Sequence, residues 1–311
     1  MIPVDPLSFV PVTRGDDPRL GESARFLVDR HACRPGDVVL IGVPDERGIV
    51  VNHGRPGAKA GPHAFRTAFY RLPGSWPLWD AGDVELTASN RTMHDQLATL
   101  VATVVRQGAL PIVIGGGHDA TFGGMKGVVQ AVGTAGIMNI DAHLDLRPAE
   151  PHGDVGSGSA YRRLIEDGVL RGEQLVEWGY QPHAVSQTHL QWAKLHGVRL
   201  WSYPEICADD PARCFASLLT DLAARHGHAA VSLDLDAIVS PAAPGVSAPA
   251  PFGFAAEAIL ACLQLAAQQP QWCYLDVMEL SPPHDEQGRT ARLAAVLVWH
   301  VLRVRAEGVV I

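Results

Sequence analysis

Five short apolar runs, each about the length of a β-strand, restrict most strongly how this chain can fold. They cover residues 38–43, 110–114, 136–140, 229–235 and 272–277. Stretches with the apolar spacing of a helix lie between them, over 97–105 and 218–222. Strands that are apolar on both faces and alternate with helices are typical of a parallel sheet covered on both sides. We therefore predict an α/β fold with three layers, in which helices cover both faces of a mainly parallel central sheet.

Cap and turn residues mark the ends of these predicted helices. Gly108 follows the first of them, and Asp210 and Pro211 offer an N-cap and a first-turn proline to the second. Pro270 ends a further helix that begins at about Ala255. Three long loops rich in Gly and Pro remain, and loops of such length in a compact domain are usually functional or disordered. They span 45–62, 148–159 and 240–252.

The composition is that of a globular chain. Its 311 residues are 47% hydrophobic and 19% charged, so they can bury a large core, and we predict a single domain over 1–311. There is no apolar run long enough for a membrane span and no signal-like pattern in residues 1–30, so we expect a cytoplasmic location. Five dispersed cysteines without a C-x-x-C pattern argue against disulfides or a zinc–cysteine site. A net charge of −8 without basic clusters argues against a nucleic-acid partner.

Four of the predicted strands run directly into metal-binding or ionisable residues. The carboxyl ends of parallel strands form the ligand-binding rim of such a sheet, so these residues should converge there. An isolated acidic pair at a strand end more often caps a helix, but four strand ends of this kind are rarely a coincidence. The residues are His118, Asp141, His143, Asp145, Asp234, Asp236 and Glu279.

The spacing of these residues strengthens the prediction. Side chains at alternate positions of an extended segment lie on the same side, so Asp141, His143 and Asp145 should face one point. Asp234 and Asp236 should do the same. So many carboxylates in one crevice repel each other unless cations neutralise them. A mixed Asp/His set without cysteine suits Mn²⁺. The number of carboxylates indicates two ions, about 3.5–4 Å apart, that lower the pKa of a bridging water and so generate a hydroxide nucleophile.

A glycine-rich segment supports a competing interpretation. Residues 115–120 read Gly-Gly-Gly-His-Asp-Ala and fit the G-x-G-x-x-A pattern of dinucleotide-binding enzymes, with Asp141 at about the distance expected for a ribose-binding acid. This interpretation needs only one acidic residue. It leaves His143, Asp145 and the later acids without a function, so we favour the metal site.

At these residues the chain resembles the arginase/agmatinase (ureohydrolase) superfamily, whose motifs are G-G-x-H, D-A-H-x-D, S-x-D-x-D and a late D-x-x-E. The resemblance extends from residues 42–45 and 52–58 through 80–83 to 279–283, which is most of the chain. It implies an arginase-like fold, two Mn²⁺ ions per chain and hydrolysis of a C–N bond in an amidine or guanidine. It also implies a homo-oligomer, a trimer or hexamer.

The resemblance further implies roles for individual residues. One metal would be held by His118, Asp141, Asp145 and Asp234. The other would be held by Asp141, His143, Asp234 and Asp236. Asp145 would also accept a hydrogen bond from the bridging hydroxide and carry protons, and Glu279 would pair with the cationic amidine nitrogens.

Within the superfamily the chain is most similar to the formimidoylglutamases, which release formamide from N-formimidoyl-L-glutamate in histidine degradation. The features that indicate this are the Asp-Ala-His-Leu-Asp-Leu-Arg segment ending at Arg147, the loop at 156–161 and the Asn-His-Gly-Arg element at Asn52. Ser157 stands where arginases and agmatinases have a histidine that is thought to shuttle protons. His152 lies nearby and is a candidate replacement, the alternative being a solvated loop histidine.

A substrate with two carboxylates needs guanidinium or amide donors away from the metals. Arg147, Arg162, Asn52 and Ser157 are the candidates. Arg147 is as suited to a structural ion pair, and Asn52 and Arg162 to ordering their own loops. Two other functions remain open. The segment 279–283 also resembles agmatinases and guanidinobutyrases, which release urea, and Ser157 is compatible with a metal-binding homologue that has lost catalysis.

Overall fold

The strands of this chain form one sheet in which every pairing is parallel. The structure is a computed structural model that describes residues 1–12, 15–29, 31–148 and 154–307. The strands are β1 (Arg25–Phe26), β2 (Val38–Val43), β3 (Leu78–Asp83), β4 (Leu110–Gly115), β5 (Gly136–Ile140), β6 (Leu175–Tyr180), β7 (Arg199–Ser202), β8 (Ala229–Asp234) and β9 (Trp272–Met278). Their order across the sheet is β1-β3-β2-β4-β9-β8-β5-β6-β7, which confirms the predicted parallel sheet.

Helices connect the strands and cover the sheet. They are α1 (Leu20–Ser23), α2 (Arg47–Val51), α3 (Gly61–Phe69), α4 (Asn90–Arg106), α5 (Ala120–Val132), α6 (Ala160–Glu166), α7 (Gln187–Leu195), α8 (Tyr203–Cys207), α9 (Pro211–His226), α10 (Ala256–Gln268) and α11 (Arg289–Glu307). The side chain of Asp210 caps α9 by accepting from the backbone N–H groups of Ala212 and Arg213. Gly108 follows α4 at a φ of +74°, a conformation that favours glycine.

The core lies on both faces of the sheet, because alternate residues of a buried strand point in opposite directions. In β2, Val38 and Leu40 belong to the core that packs under α3, α9, α10 and α11. Val39 and Ile41 belong to the core on the other face, under α4 and α5. The predicted three-layer α/β/α arrangement is therefore confirmed. In the part of the chain that the structure describes, no helix is both long and apolar enough to cross a membrane.

Four strands were not predicted, and polar residues account for two of them. β3 carries Asp80, which is fully buried but paired with Arg66 at 2.8 Å. β6 carries the fully buried Glu177, which accepts a hydrogen bond from Asn139 at 2.8 Å. Buried acids of this kind hide the apolar pattern of a strand. β1 and β7 are short strands at the two edges of the sheet.

The prediction of a long loop over 45–62 is wrong. This segment contains α2, a 3₁₀ turn at Ala58–Ala60 and the first residues of α3. Its glycines and prolines mark the ends of short helices, since Pro62 stands in the first turn of α3. The predicted loop over 240–252 contains neither helix nor strand, as expected.

Candidate metal centre and substrate cavity

The predicted metal-binding residues all lie at the carboxyl edge of the four central strands. β4, β9, β8 and β5 are neighbours in the sheet. His118 follows β4 just before α5, Asp141 follows β5, and Asp234 ends β8. Glu279 comes directly after β9. The neighbouring order of the strands explains why residues so distant in sequence meet.

The side chains converge for a different reason from the predicted one. β5 ends at Ile140, so the segment from Asp141 to Asp145 is not extended, and Asp145 has a φ of +48°. Asp236 lies in a 3₁₀ turn at Leu235–Ala237, directly after β8. Alternation along a strand is therefore the wrong explanation for both motifs. Tight turns after the strands bring the carboxylates together.

His118 is the centre of one group of donors. Its Nδ1 atom lies 3.0 Å from Asp145 Oδ2, 3.2 Å from Asp234 Oδ2 and 3.4 Å from Asp141 Oδ2. The imidazole is fully buried, and among the described residues Nδ1 has no partner with the directional geometry of a hydrogen bond. A buried nitrogen aimed between three carboxylate oxygens is the geometry of a cation ligand.

His143 belongs to a second group of donors. Its Nδ1 lies 3.1 Å from Asp236 Oδ2 and 3.4 Å from Asp141 Oδ1. His118, Asp141 and Asp234 form one set with metal-ligand spacing, and Asp141, His143 and Asp236 form another. Because Asp141 offers one oxygen to each set, the arrangement fits two ions that share a carboxylate. The oxygen and imidazole donors, without cysteine, suit Mn²⁺.

Electrostatic coupling within the cluster shifts the pKa values strongly. Burial acts against a charged Asp141, yet the imidazoles of His118 and His143 hold the pKa of this carboxyl well below its usual value. The Asp236 carboxylate raises the pKa of His143 well above its usual value, against the effect of burial. Burial and the neighbouring Asp141 charge raise the pKa of Asp145 to about 6. Without metal, protonated imidazoles offset the negative charge of the carboxylates in this cluster. Bound divalent ions would offset that charge instead.

Glu279 stands beside the cluster in a constrained position. It has a φ of +68° and is buried. Its Oε1 accepts from the backbone N–H of His118 at 2.9 Å, and its Oε2 accepts from the Ser247 hydroxyl at 2.5 Å. Burial raises the pKa of the Glu279 carboxyl to about 7. Both oxygens are thus fixed in direction next to the donor cluster.

The glycine run before His118 serves close packing. A Cβ atom on Gly116 would lie 1.8 Å from the carbonyl oxygen of Asp45, and one on Gly115 would lie 2.0 Å from Met278 Sδ. The glycines therefore let the loop before α5 pass against its neighbours. This accounts for the glycine pattern without a dinucleotide.

A cavity of about 520 Å³ opens over the cluster. Among the described residues that line it, the acids are the cluster members Asp145, Asp234 and Asp236 together with Glu279. The guanidinium groups in the lining are Arg55 and Arg147. The cavity is therefore acidic at the cluster and cationic elsewhere on its wall.

Three of the predicted substrate-binding residues line this cavity: Asn52, Arg147 and Ser157. The backbone N–H of Arg147 donates to the Gly158 carbonyl at 2.8 Å. Its exposed side chain makes no hydrogen bond or ion pair with any residue in the described ranges. Among the described residues the guanidinium therefore has no ion-pair partner, and the neighbouring acid Glu150 lies outside them.

The two other candidates are placed differently. Arg162 does not line the cavity; its Nε donates to Glu166 at 2.8 Å and its guanidinium lies over the Trp192 ring, 4.7 Å from the centroid. These contacts lie within α6 and between α6 and α7, and they favour the structural role. His152 lies outside the described residues.

Residues that the sequence did not single out also reach the cavity. Ser247 and His189 line it. Arg55, the arginine of the Asn-His-Gly-Arg element, ties the loop at 240–252 to the site by donating to the carbonyls of Val246 and Ser247 at 2.8 and 2.9 Å. Ser247 lies in a long loop, which was a general signal of function. His189 lies on α7, and no sequence pattern pointed to it.

A parallel α/β sheet that gathers two linked Asp/His sets at its carboxyl edge, under a polar cavity, defines a metal-dependent hydrolase of the two-metal class. The chain belongs to the Arginase family, whose sequence profile matches residues 36–303. This membership excludes the dinucleotide-binding interpretation.

The relatives of this chain include formimidoylglutamases. The chain is 35% identical to a formimidoylglutamase of Aromatoleum aromaticum, over 86% of this chain and 83% of that protein. It is 34% identical to one of Rhodococcus jostii, over 88% and 87% of the two chains. The solved formiminoglutamase of Trypanosoma cruzi with Mn²⁺ superposes with a TM-score of 0.80 at 32% identity, covering 92% of this chain and 98% of that one.

Proposed function

We propose that this chain is a formimidoylglutamase, which hydrolyses N-formimidoyl-L-glutamate to L-glutamate and formamide in histidine degradation. It is a hydrolase that acts on C–N bonds of linear amidines, in line with the formimidoylglutamases that it resembles over most of its length. The substrate is a small molecule with a cationic amidine on the α-carbon, one carboxylate on that same carbon and a second carboxylate at the end of the side chain.

The charge distribution of the cavity is the observation that carries this proposal. Glu279 and the aspartates of the cluster are suited to the amidinium end, and the guanidinium of Arg147 on the cavity wall is suited to a carboxylate. Agmatine carries an ammonium group in place of carboxylates, so Arg147 and Arg55 would repel it. Guanidinobutyrate has one carboxylate and therefore remains the stronger competitor among the urea-releasing substrates.

We assign two Mn²⁺ ions to the cluster. His118, Asp141, Asp145 and Asp234 would hold one ion, and Asp141, His143, Asp234 and Asp236 would hold the other. Two observations support this assignment: Nδ1 of buried His118 has no hydrogen-bond partner among the residues that the structure describes, and Asp141 belongs to both donor sets. When bound, the ions supply Lewis-acid activation of water and stabilise negative charge that develops on the substrate.

The residues around the substrate have distinct tasks in this proposal. Glu279 pairs with the amidinium nitrogens and orients the formimidoyl carbon. Asp145 accepts a proton from the attacking water as its oxygen bonds to that carbon. The same carboxyl then donates the proton to the glutamate nitrogen as its bond to the formimidoyl carbon breaks. The remaining hydroxyl proton passes to the released amine as the carbonyl of formamide forms.

The carboxylate end of the substrate is assigned to Arg147, with Asn52 and Ser157 as hydrogen-bond partners. All three line the same cavity. Ser157 is buried, and a hydroxyl can orient a substrate but is a poor acid near neutral pH. Proton transfer to the leaving amine is therefore assigned to Asp145, and His152 stays a prediction.

A substrate panel with added Mn²⁺ tests the proposal. Formamide and urea are measured separately after incubation with N-formimidoyl-L-glutamate, guanidinobutyrate and agmatine. We expect formamide from the first substrate at the highest kcat/KM. Urea as the main product would establish the guanidine-hydrolase alternative, and the absence of turnover with every substrate would establish an inactive metal-binding homologue. Assembly as a trimer or hexamer and a cytoplasmic location stay predictions.

A further inference from the structure

A buried hydrogen-bond network lies beneath His118, on the side away from the cavity. Nε2 of His118 lies 2.8 Å from Ser232 Oγ and 3.3 Å from the Tyr161 hydroxyl. Ser232 belongs to β8 and is hydrogen-bonded to Asp276, which belongs to β9. His118, Ser232, Tyr161 and Asp276 are all fully buried. None of the tasks assigned above uses Ser232, Tyr161 or Asp276.

The hydrogen of the Ser232 hydroxyl is already committed. Ser232 Oγ donates to Asp276 Oδ1 at 2.5 Å. The other oxygen of Asp276 accepts from Thr121 at 2.8 Å and from Tyr274 at 2.9 Å. A hydroxyl has one hydrogen, so Ser232 can only accept from the His118 ring.

The Tyr161 hydroxyl is committed in the same way. It donates to Asn139 Oδ1 at 3.0 Å. The orientation of the Asn139 amide is fixed, because its Nδ2 donates to Glu177 at 2.8 Å and to Asp141 at 3.3 Å. Tyr161 therefore also has no hydrogen left for Nε2. Both neighbours of Nε2 are acceptors, so Nε2 must carry a proton.

We propose that Asp276 is a positioning residue that acts through Ser232 to keep a proton on Nε2 of His118, which reserves Nδ1 for a divalent ion. The proposal rests on the assignment of His118 as a metal ligand. Some residues fix the tautomer and ring orientation of a metal-ligating histidine without touching the metal. Mutation of such a residue typically lowers metal affinity by about 10- to 100-fold. Asp276 is suited to this task because its Oδ1 atom accepts the Ser232 hydrogen at short range.

Manganese titration of the full-length, chelator-stripped protein tests the proposal, with the signal of free aqueous Mn²⁺ in electron paramagnetic resonance as readout. We expect the wild type to bind two ions. Ser232→Ala and Asp276→Asn should each weaken one of the two by about 10- to 100-fold. The ion beside His143 should keep its affinity. The double variant should bind no more weakly than the weaker single variant, because both changes break one relay.

Two matched variants separate positioning from general packing. Ser232→Thr keeps the hydroxyl and should restore tight binding. Tyr274→Phe removes a different donor to Asp276 and leaves the contact with Ser232, so its affinities should stay close to those of the wild type. Equal weakening of both ions, additive losses in the double variant, or a Tyr274→Phe defect as large as that of Ser232→Ala would overturn the proposal. If Ser232→Ala does not fold, the comparison of Asp276→Asn with Tyr274→Phe still tests the proposal.

The outcomes distinguish this inference from the proposed function. A wild type that binds no Mn²⁺ would refute the metal centre itself. A wild type that binds two ions, with unchanged affinities in Ser232→Ala and Asp276→Asn, would refute the role of Asp276 alone.

Discussion

Removal of the Ser247 hydroxyl should impair recognition of the amidine end of the substrate. In the structure the Glu279 carboxylate has two donors, the backbone N–H of His118 at 2.9 Å and the hydroxyl of Ser247 at 2.5 Å. Arg55 holds the backbone of Ser247 in place. In Ser247→Ala, Glu279 keeps its first contact and loses the second, so its Oε2 atom is no longer fixed in direction.

The size of the effect follows from the kind of bond that is lost. A hydrogen bond to a charged group contributes about 1.5–3 kcal/mol, which corresponds to a factor of about 10 to 150. The cavity is open, and water can replace part of the lost contact. We therefore expect kcat/KM to fall by about tenfold, which is the lower end of this range. If Glu279 binds the amidinium equally well in the ground and transition states, KM rises and kcat changes little.

The pH dependence adds a signature that a packing defect would not produce. The pKa of Glu279 is raised to about 7 by burial, so in the wild type kcat/KM should fall as the pH drops through about 7 and the carboxyl takes up a proton. Loss of a donor to the ionised form raises this pKa further. The acid limb of the Ser247→Ala profile should therefore lie at higher pH, with a smaller defect at pH 9 than at pH 7.

The assay is steady-state formamide release from pH 6 to 9 with saturating Mn²⁺. Ser247→Thr retains a hydroxyl and serves as the matched control, with near-normal kinetics expected. The reasoning would be refuted by a Ser247→Ala enzyme whose kcat/KM matches the wild type across this pH range.

Three further predictions follow from the site. Asp234→Asn removes a proposed ligand and should abolish metal-dependent turnover; near-normal activity would refute the cluster. Binding of Mn²⁺ should release a measurable number of protons at pH 7, because the pKa values of His118, His143 and Asp234 are raised in the metal-free site. Calorimetry in buffers of different ionisation enthalpy measures this number, and zero release would contradict it. Arg147→Ala should raise KM for N-formimidoyl-L-glutamate by at least about tenfold with little change in kcat, and an unchanged KM would remove Arg147 from the substrate site.

The central strands could be predicted because each is a mainly apolar run that ends in chemically distinctive residues. The run at 136–140 matches β5 at both ends. β3 and β6 could not be predicted in the same way, because an acid, Asp80 or Glu177, stands at the third residue of each strand and leaves only two apolar residues before it. The energetic cost of burying these acids is offset by Arg66 and Asn139, which lie elsewhere in the sequence.

The members of the candidate metal site could be predicted from residue type, but its geometry could not. The motifs at 141–145 and 234–236 correctly indicated which residues meet, although tight turns rather than extended strands bring them together. Ser247 and His189 lie at the cavity through loop and helix positions that have no local signature. Arg162 resembled a substrate ligand in sequence, and only its contacts with Glu166 and Trp192 indicated a structural role.

The account depends most on the pairing of two ions in one cluster. Anomalous diffraction at the manganese edge, from crystals of the Mn²⁺-loaded protein, locates the metals without reference to activity. We predict two peaks about 3.5–4 Å apart, one beside Nδ1 of His118 and one beside Nδ1 of His143, with Asp141 between them. A single peak, or peaks away from these histidines, would contradict the proposed two-metal centre.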